Sequence, residues 1–216
     1  LNLVKAIVNI QFPEDFTLQK EAYERLSFGE FFLFQIPLAL RKLKKKEKKG
    51  IAHNIDGDLA QSFIASLPFQ LTLAQEKVLQ EIKQDMAGAW AMQRLLQGDV
   101  GSGKTVVALI ASLIAIQGGY QAALMVPTEV LAKQHFLKIG SQLSTLNSQL
   151  KEIRMGLLTS SAGKKEKEKI YQEIKQGKID LVIGTHALLE EAVQFKNLGL
   201  VVIDEQHKFG VGQRAL

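Results

Sequence analysis

The sequence reads Gly98-Asp99-Val100-Gly101-Ser102-Gly103-Lys104-Thr105 immediately before an apolar run of helical length at 106–116. This spacing of glycines ahead of a Lys-Thr pair is that of a phosphate-binding P-loop. Glycines let successive backbone N–H groups curl around phosphate oxygens without a Cβ in the way. The free N–H groups and the dipole of the following helix also favour an anion. The stretch therefore predicts that these eight residues bind a nucleoside triphosphate.

Two residues of this loop have individual predicted roles. We expect the Lys104 ammonium to reach the terminal phosphates and the Thr105 hydroxyl to hold a magnesium ion. The context supports this, because residues 92–96 read as a strand that leads into the loop. Without that context, the motif could be a simple glycine turn.

An acidic pair later in the chain completes the predicted site. Residues 201–203 read as a buried strand, and Asp204 and Glu205 follow it. Carboxylates at the end of such a strand are costly unless they meet a cation or water. We expect Asp204 to bind magnesium and Glu205 to orient and deprotonate the attacking water, with Lys104 as the third catalytic residue. Alone, the pair would be an ordinary strand end; with the P-loop it indicates catalysis.

Length and composition limit the classes of protein to consider. With 216 residues and 46% hydrophobic content, the chain can bury one substantial core, with or without an appendage. It has no cysteine, which excludes disulfides and thiolate zinc sites, and no apolar run reaches the length of a membrane span. The start lacks Met and a secretory pattern, and the last residues show no closing element. We expect a fragment without a membrane-spanning segment, and the absence of cysteine suits a reducing interior.

The positive charge of the chain is concentrated in one tract. Residues 41–49 contain seven bases and one acid, a local charge of +6 against a total of +5, so the remainder carries −1. Any general attraction to nucleic acid would therefore come from this tract. A solvated loop with no such role is an equally good interpretation.

The chain is expected to have two parts. Residues 1–68 are predicted to be a helical lead-in from an upstream domain, with a long helix over 21–40 that Pro37 kinks or ends. Over 69–216, helices and apolar runs alternate, which predicts an α/β fold with a parallel sheet covered on both faces. We expect strands at 94–97, 122–126, 154–158, 181–184 and 200–203. We expect helices at 73–86, with Thr72 as N-cap, and at 105–117, 129–138 and 164–176.

Five stretches, in order, resemble motifs of RecG-type DNA helicases, the branch-migration enzymes of superfamily 2. They are an adenine-recognition region at 69–75, the P-loop at 97–105, motif Ia at 125–135, a DNA-facing motif at 183–188 and an extended motif II at 204–214. The resemblance implies a RecA-like P-loop domain that hydrolyses ATP with Mg²⁺. It also implies translocation on double-stranded DNA, remodelling of stalled forks and recombination junctions, and two partners within the full-length protein: a second motor domain and an upstream wedge domain.

The same resemblance implies roles for five further residues. Gln75 would recognise adenine, Thr128 and Thr185 would face the DNA backbone, and Gln206 and His207 would couple the nucleotide site to the DNA-facing surface. Simpler readings stay open: Gln75 as a surface helix residue, the threonines as helix caps and His207 as a structural side chain. The other histidines, His53, His135 and His186, show no metal-ligand spacing and receive no chemical role.

Two departures from the RecG pattern and three alternatives complete the interpretation. Ser160 stands where glycine is common, and Lys208 replaces a frequent arginine. The alternatives are a transcription-repair coupling translocase, an RNA-directed superfamily 2 helicase, and a nucleotide-gated DNA-binding module that never hydrolyses. Gln206-His207 argues against the first, and Glu205 argues against the last. Without a second motor domain, we expect the chain alone to bind ATP weakly and hydrolyse it poorly.

Overall fold

A computed structural model describes residues 1–45, 49–144 and 153–210. The chain divides into two compact units, Leu1–Lys49 and Gly50–Leu216. Part of the basic tract at 41–49 and the end of the extended motif II, 211–214, lie outside the described residues. In the described part of the chain, no helix is both long enough and apolar enough to cross a membrane.

The first unit is a pair of helices, α1 (Leu3–Gln11) and α2 (Phe16–Lys45). The Asn2 side chain caps α1 by accepting from the backbone N–H of Lys5 at 2.8 Å. The prediction that Pro37 could end the long helix is wrong, because α2 continues through it. Proline removes one helical hydrogen bond, but the leucine, alanine, lysine and arginine that follow are strong helix formers.

The second unit is built on a four-stranded parallel sheet. The strands are β1 (Gln121–Met125), β2 (Met155–Leu158), β3 (Leu181–Gly184) and β4 (Leu198–Ile203), in the spatial order β2-β3-β1-β4. The helices are α3 (Asp58–Ser66), α4 (Leu73–Ala87), α5 (Lys104–Gln117), α6 (Glu129–Ser144) and α7 (Lys164–Lys175). The predicted α/β fold is confirmed, and four of the five predicted strands lie within a few residues of their expected bounds. The predicted helices are all present, although α6 continues to Ser144 where the prediction ended it at 138.

The fifth predicted strand, at 94–97, is absent from the described sheet. This segment has no regular secondary structure. Met92 and Leu96 pack on the core, while Arg94 pairs with Glu81 and Asp85 of α4 at 2.6 and 2.7 Å. The prediction is wrong because an extended segment packed against a helix has the same apolar alternation as a paired strand.

Side chains from the two faces of the sheet enter two separate cores. In β1, Ala122 and Leu124 face the larger core with α5, whereas Ala123 and Met125 face the smaller core with α7. Helix α5 is buried almost all around, as expected of a helix that is apolar on every side.

The segment before residue 69 also contributes to the larger core. Phe63 of α3 is fully buried in it, and the Gln117 amide donates to the Asn54 carbonyl at 2.8 Å. The compact unit therefore begins at Gly50, whereas the sequence analysis placed the boundary after residue 68. Pro68 interrupts the helical pattern, but it does not separate two cores.

A buried glutamine joins three segments at the N-terminal end of β1. The Gln121 amide nitrogen donates to the carbonyls of Ile174 and Ile179 at 3.0 and 2.7 Å. Its oxygen accepts from the backbone N–H groups of Lys196 and Asn197 at 2.9 and 3.1 Å. Every hydrogen-bonding position of this side chain is thereby used by backbone groups at the end of α7, in the turn before β3 and in the segment before β4.

Gln121→Leu is expected to lower the free energy of unfolding by about 3 kcal/mol or more, because buried backbone groups lose their partners. Urea-induced unfolding of the chain measures this. Gln172→Leu, at an exposed position on α7, is the matched control and should change stability by less than about 0.5 kcal/mol. Equal effects of the two substitutions would contradict the role assigned to Gln121.

Candidate nucleotide-binding site

The P-loop has the backbone conformation that its glycines predict. Gly101 and Gly103 have φ angles of 82° and 84°, in the left-handed region that favours glycine. Gly103 caps α5, and its carbonyl accepts from the N–H of Val106 at 2.9 Å. A Cβ on Gly103 would collide with the side-chain nitrogen of Gln75. Both the turn and the close approach of Gln75 therefore require glycine at this position.

The ammonium group of Lys104 lies within the curve of the loop. Its Nζ donates to the carbonyl oxygens of Gly98 and Asp99, both at 2.7 Å. An ammonium group carries three donors, so it can hold the loop closed and still offer a hydrogen to a phosphate oxygen. Thr105 follows on the first turn of α5 and is half-buried.

Gln75 connects the start of α4 to the P-loop. Thr72 and Gln75 form a reciprocal capping box, in which the Gln75 oxygen accepts from the N–H of Thr72 at 2.9 Å. The Gln75 nitrogen donates to the carbonyl of Ser102 at 2.8 Å. The sequence analysis predicted the Thr72 cap, which is confirmed, but not the bond to Ser102. A cavity of about 620 Å³ adjoins this helix and is lined by residues that include Leu67, Phe69 and Glu76.

The acidic pair lies at the C-terminal end of β4. The N–H of Asp204 donates to the carbonyl of Met125 at 2.9 Å, which continues the ladder between β4 and β1. Asp204 Oδ2 lies 3.3 Å from Nε2 of His135, and its Oδ1 accepts from the N–H of Glu205 at 2.9 Å. The hydrogen bond from His135 lowers the pKa of Asp204, with a smaller contribution from the charge of Lys104. Asp204 is therefore an anion at neutral pH.

Glu205 has a left-handed backbone, with a φ angle of 52°. This conformation costs a non-glycine residue about 1–3 kcal/mol and is concentrated at functional sites. The turn is stabilised by the N–H of Lys208, which donates to the Glu205 carbonyl at 2.9 Å. The Glu205 carboxylate lies 3.4 Å from Nδ1 of His207, whose side chain is largely exposed. Directly after Glu205, a short 3₁₀ helix runs over Gln206–Lys208.

The available ligands fit a magnesium ion. Among the described residues, no three side chains of the His, Cys, Asp and Glu types form a metal cluster. Asp204 and the Thr105 hydroxyl instead offer two hard oxygen ligands. Magnesium in nucleotide sites typically takes few protein ligands and completes its shell with phosphate oxygens and water. An ionised Asp204 suits this arrangement.

A second group of polar residues lies where β1, β2 and β3 end. Thr128 caps α6 by accepting from the N–H of Leu131 at 3.3 Å. The side chain of Thr185 is buried, and its hydroxyl finds no hydrogen-bond partner among the residues that the structure describes. The structure thus presents Thr128 near the surface, whereas the Thr185 side chain points into the protein.

The loop after β2 forms hydrogen bonds with the start of α6 and with the segment that follows β3. The Glu129 carboxylate accepts from the N–H of Ser161 at 2.8 Å and from its hydroxyl. These bonds lower the pKa of Glu129. The Oγ of Ser160, one of the two departures from the RecG pattern, lies 3.2 Å from Nε2 of His186. The sequence analysis gave Glu129, Ser161 and His186 no role, because nothing in their spacing indicates that these loops meet.

The histidine that the sequence analysis most clearly missed is His135, which contacts Asp204 as described above. His53 is different: its Nε2 lies 3.2 Å from the carbonyl of Gly199 and its ring packs edge-on against Tyr120. Burial lowers the pKa of His53, which is consistent with a structural side chain.

Comparison with known proteins places this geometry in a family. The model of the DEAD/DEAH box helicase family matches residues 72–215. The chain is 49% identical to the ATP-dependent DNA helicase RecG of Thermotoga maritima, over 99% of the chain and 27% of that relative. It is 47% identical to RecG of Synechocystis, over 100% of the chain and 25% of that relative.

A solved structure agrees with these sequence comparisons. The structure of RecG bound to a three-way DNA junction is 46% identical and superposes with a TM-score of 0.85, over 95% of this chain and 27% of that one. The chain thus spans about a quarter of the length of these relatives. The resemblance inferred from the five motifs is confirmed: this chain belongs to the DEAD/DEAH box helicase family.

Proposed function

We propose that this chain is the nucleotide-hydrolysing motor unit of a DNA helicase that remodels branched DNA. Two observations carry the proposal: α5, which begins at the P-loop, packs against β4, which ends at the Asp204-Glu205 pair, and the charge of Lys104 contributes to the lowered pKa of Asp204. In parallel α/β sheets, ligands bind at the carboxyl ends of the strands, where these motifs lie. The similarity to RecG supports DNA as the substrate.

Each residue of the site has a separate role in hydrolysis. The P-loop N–H groups and Lys104 hold the phosphates, and Thr105 and Asp204 hold the metal. When bound, Mg²⁺ neutralises charge on the β- and γ-phosphates. Glu205 orients the attacking water and accepts its proton. Its left-handed backbone turns the chain directly after Asp204. Gln206 and His207 follow directly and would transmit the state of this site to the DNA-facing surface.

The proposed DNA-facing surface is the edge formed by the ends of β1, β2 and β3. Thr128 contributes a hydroxyl and the N-terminus of α6, which suit a phosphate. Thr185 contributes through its backbone, because its side chain is buried. The partners within the full-length protein would be a second motor domain and a wedge domain. Residues 1–49 would form the lead-in, and the motor unit would begin at Gly50, where the compact units divide. The bacterial relatives support a location in the bacterial cytoplasm.

Strand separation on a labelled three-way junction tests the proposed function in the complete protein that contains this chain. We expect separation with ATP and Mg²⁺, none with a non-hydrolysable analogue, and little on a linear duplex of equal length. Separation that needs no nucleotide, or that occurs on RNA but not on the DNA junction, would overturn the proposal.

Gln75→Ala is expected to raise the KM for ATP by roughly 5- to 30-fold, because the hydrogen bond to Ser102 and the amide that would recognise adenine are both lost. The preference for ATP over GTP should fall as well. Steady-state hydrolysis with each nucleotide measures both effects. Gln80→Ala, an exposed residue on the same helix, is the control. An unchanged ratio of kcat/KM for ATP to kcat/KM for GTP would contradict the role of Gln75 in adenine recognition.

A further inference from the structure

His135 stands out among the side chains that the mechanism above does not use. Its Nε2 lies 3.3 Å from Oδ2 of Asp204, and its side chain is only 14% exposed. An ionised carboxylate accepts hydrogen bonds and cannot donate one, so the contact requires the imidazole to donate from Nε2. This holds for the neutral ring with its hydrogen on Nε2, and no change of charge is needed.

The contact fixes Asp204 from two directions. The Glu205 N–H holds Oδ1 from the strand end, and His135 holds Oδ2 from α6. A carboxylate held at both oxygens has lost most of its rotational freedom before any metal arrives. Groups that orient a metal ligand typically contribute 10- to 100-fold to metal affinity.

The position of His135 on α6 gives the contact a second consequence. Thr128 caps the first turn of this helix, and the carbonyl of Thr128 accepts from the N–H of Ala132 at 3.0 Å. His135 lies about one turn beyond Ala132 on the same rigid element. A shift of the capped end of α6 would therefore displace the group that holds Asp204.

We propose that His135 is a positioning residue that orients Asp204 for the metal and couples it to the DNA-facing end of α6. The inference rests on the proposed function, because it assigns Asp204 to Mg²⁺ and Thr128 to DNA. It adds a second connection between the nucleotide site and the DNA-facing surface, besides the proposed link through Gln206 and His207.

Nucleotide binding without turnover provides the test. In the complete protein, a fluorescent non-hydrolysable ATP analogue is titrated at increasing Mg²⁺ concentrations. His135→Leu is expected to raise the Mg²⁺ concentration for half-maximal binding by about 10-fold or more. His135→Gln, whose amide nitrogen can take the place of Nε2, should restore it to within about threefold. His135→Asn has too short a reach and should behave as the leucine variant; it decides the question if His135→Leu does not fold.

The coupling is measured on the same proteins as the ratio of junction-stimulated to unstimulated ATP hydrolysis. This ratio should fall in His135→Leu and recover in His135→Gln, while Lys138→Leu, an exposed change on the same helix, leaves both measurements unaltered. Normal Mg²⁺ dependence in His135→Leu or His135→Asn, or no recovery in His135→Gln, would overturn the inference. Failure of the unsubstituted protein to bind the analogue with Mg²⁺ would instead overturn the proposed function.

Discussion

Glu205→Gln is expected to lower the rate of ATP hydrolysis by about 10²- to 10⁴-fold while leaving ATP affinity nearly unchanged. The substitution preserves the size of the side chain and the left-handed backbone, so the site keeps its shape. It removes the group that accepts a proton from the attacking water. Glu205 is not part of the P-loop, so the binding energy that the P-loop contributes is retained. The effect should therefore fall on kcat and not on KM.

Steady-state hydrolysis and equilibrium binding of ATP in the complete protein separate these two quantities. Glu191→Gln removes one exposed negative charge elsewhere on the same unit and is the matched control. If Glu205→Gln retained a kcat close to that of the control, the general base would have to be another residue. The chain would then fit a binding module better than a motor.

Lys104→Ala is expected to lower kcat/KM for ATP by roughly 10³-fold, from about 10-fold in binding and about 10²-fold in the chemical step. The ammonium group has two functions that alanine cannot replace. It bonds the carbonyls of Gly98 and Asp99 and so holds the loop closed, and it supplies positive charge to the terminal phosphates. In contrast to Glu205→Gln, both KM and kcat should change.

Lys165→Ala, which removes an exposed lysine at the start of α7, controls for the loss of one positive charge. Thermal unfolding of both variants checks that the fold persists. Nucleotide binding by Lys104→Ala as tight as that of the unsubstituted protein would mean that the loop does not bind phosphate as described.

Features that depend on local sequence were predictable. The P-loop glycines, the Thr72 cap and the helix at 104–117 follow from backbone and capping chemistry that involves neighbours in the chain. The parallel sheet followed from the alternation of helices with short apolar runs. Asp204 and Glu205 were proposed as site residues on the expectation that they end a buried strand. That expectation is wrong: β4 lies at an edge of the described sheet, and Val201 is half-exposed.

Features that depend on contacts between distant segments were not predictable. The segment at 92–97 has the apolar pattern of a strand, but Arg94 pairs with α4 and the backbone stays out of the described sheet. No spacing in the sequence indicates that His135 meets Asp204, since their contact depends on how α6 lies against the sheet. The buried side chain of Thr185 is a similar case: its residue type suits a surface contact, and its environment decides otherwise.

The central claim is that the P-loop and Asp204-Glu205 form one ATP site whose turnover is governed by branched DNA. The most direct measurement is the rate of ATP hydrolysis by the complete protein with no nucleic acid, linear duplex, RNA or a three-way DNA junction. We expect the highest rate with the junction and loss of that stimulation in Lys104→Ala. Equal rates under all four conditions, or stimulation by RNA alone, would contradict the claim.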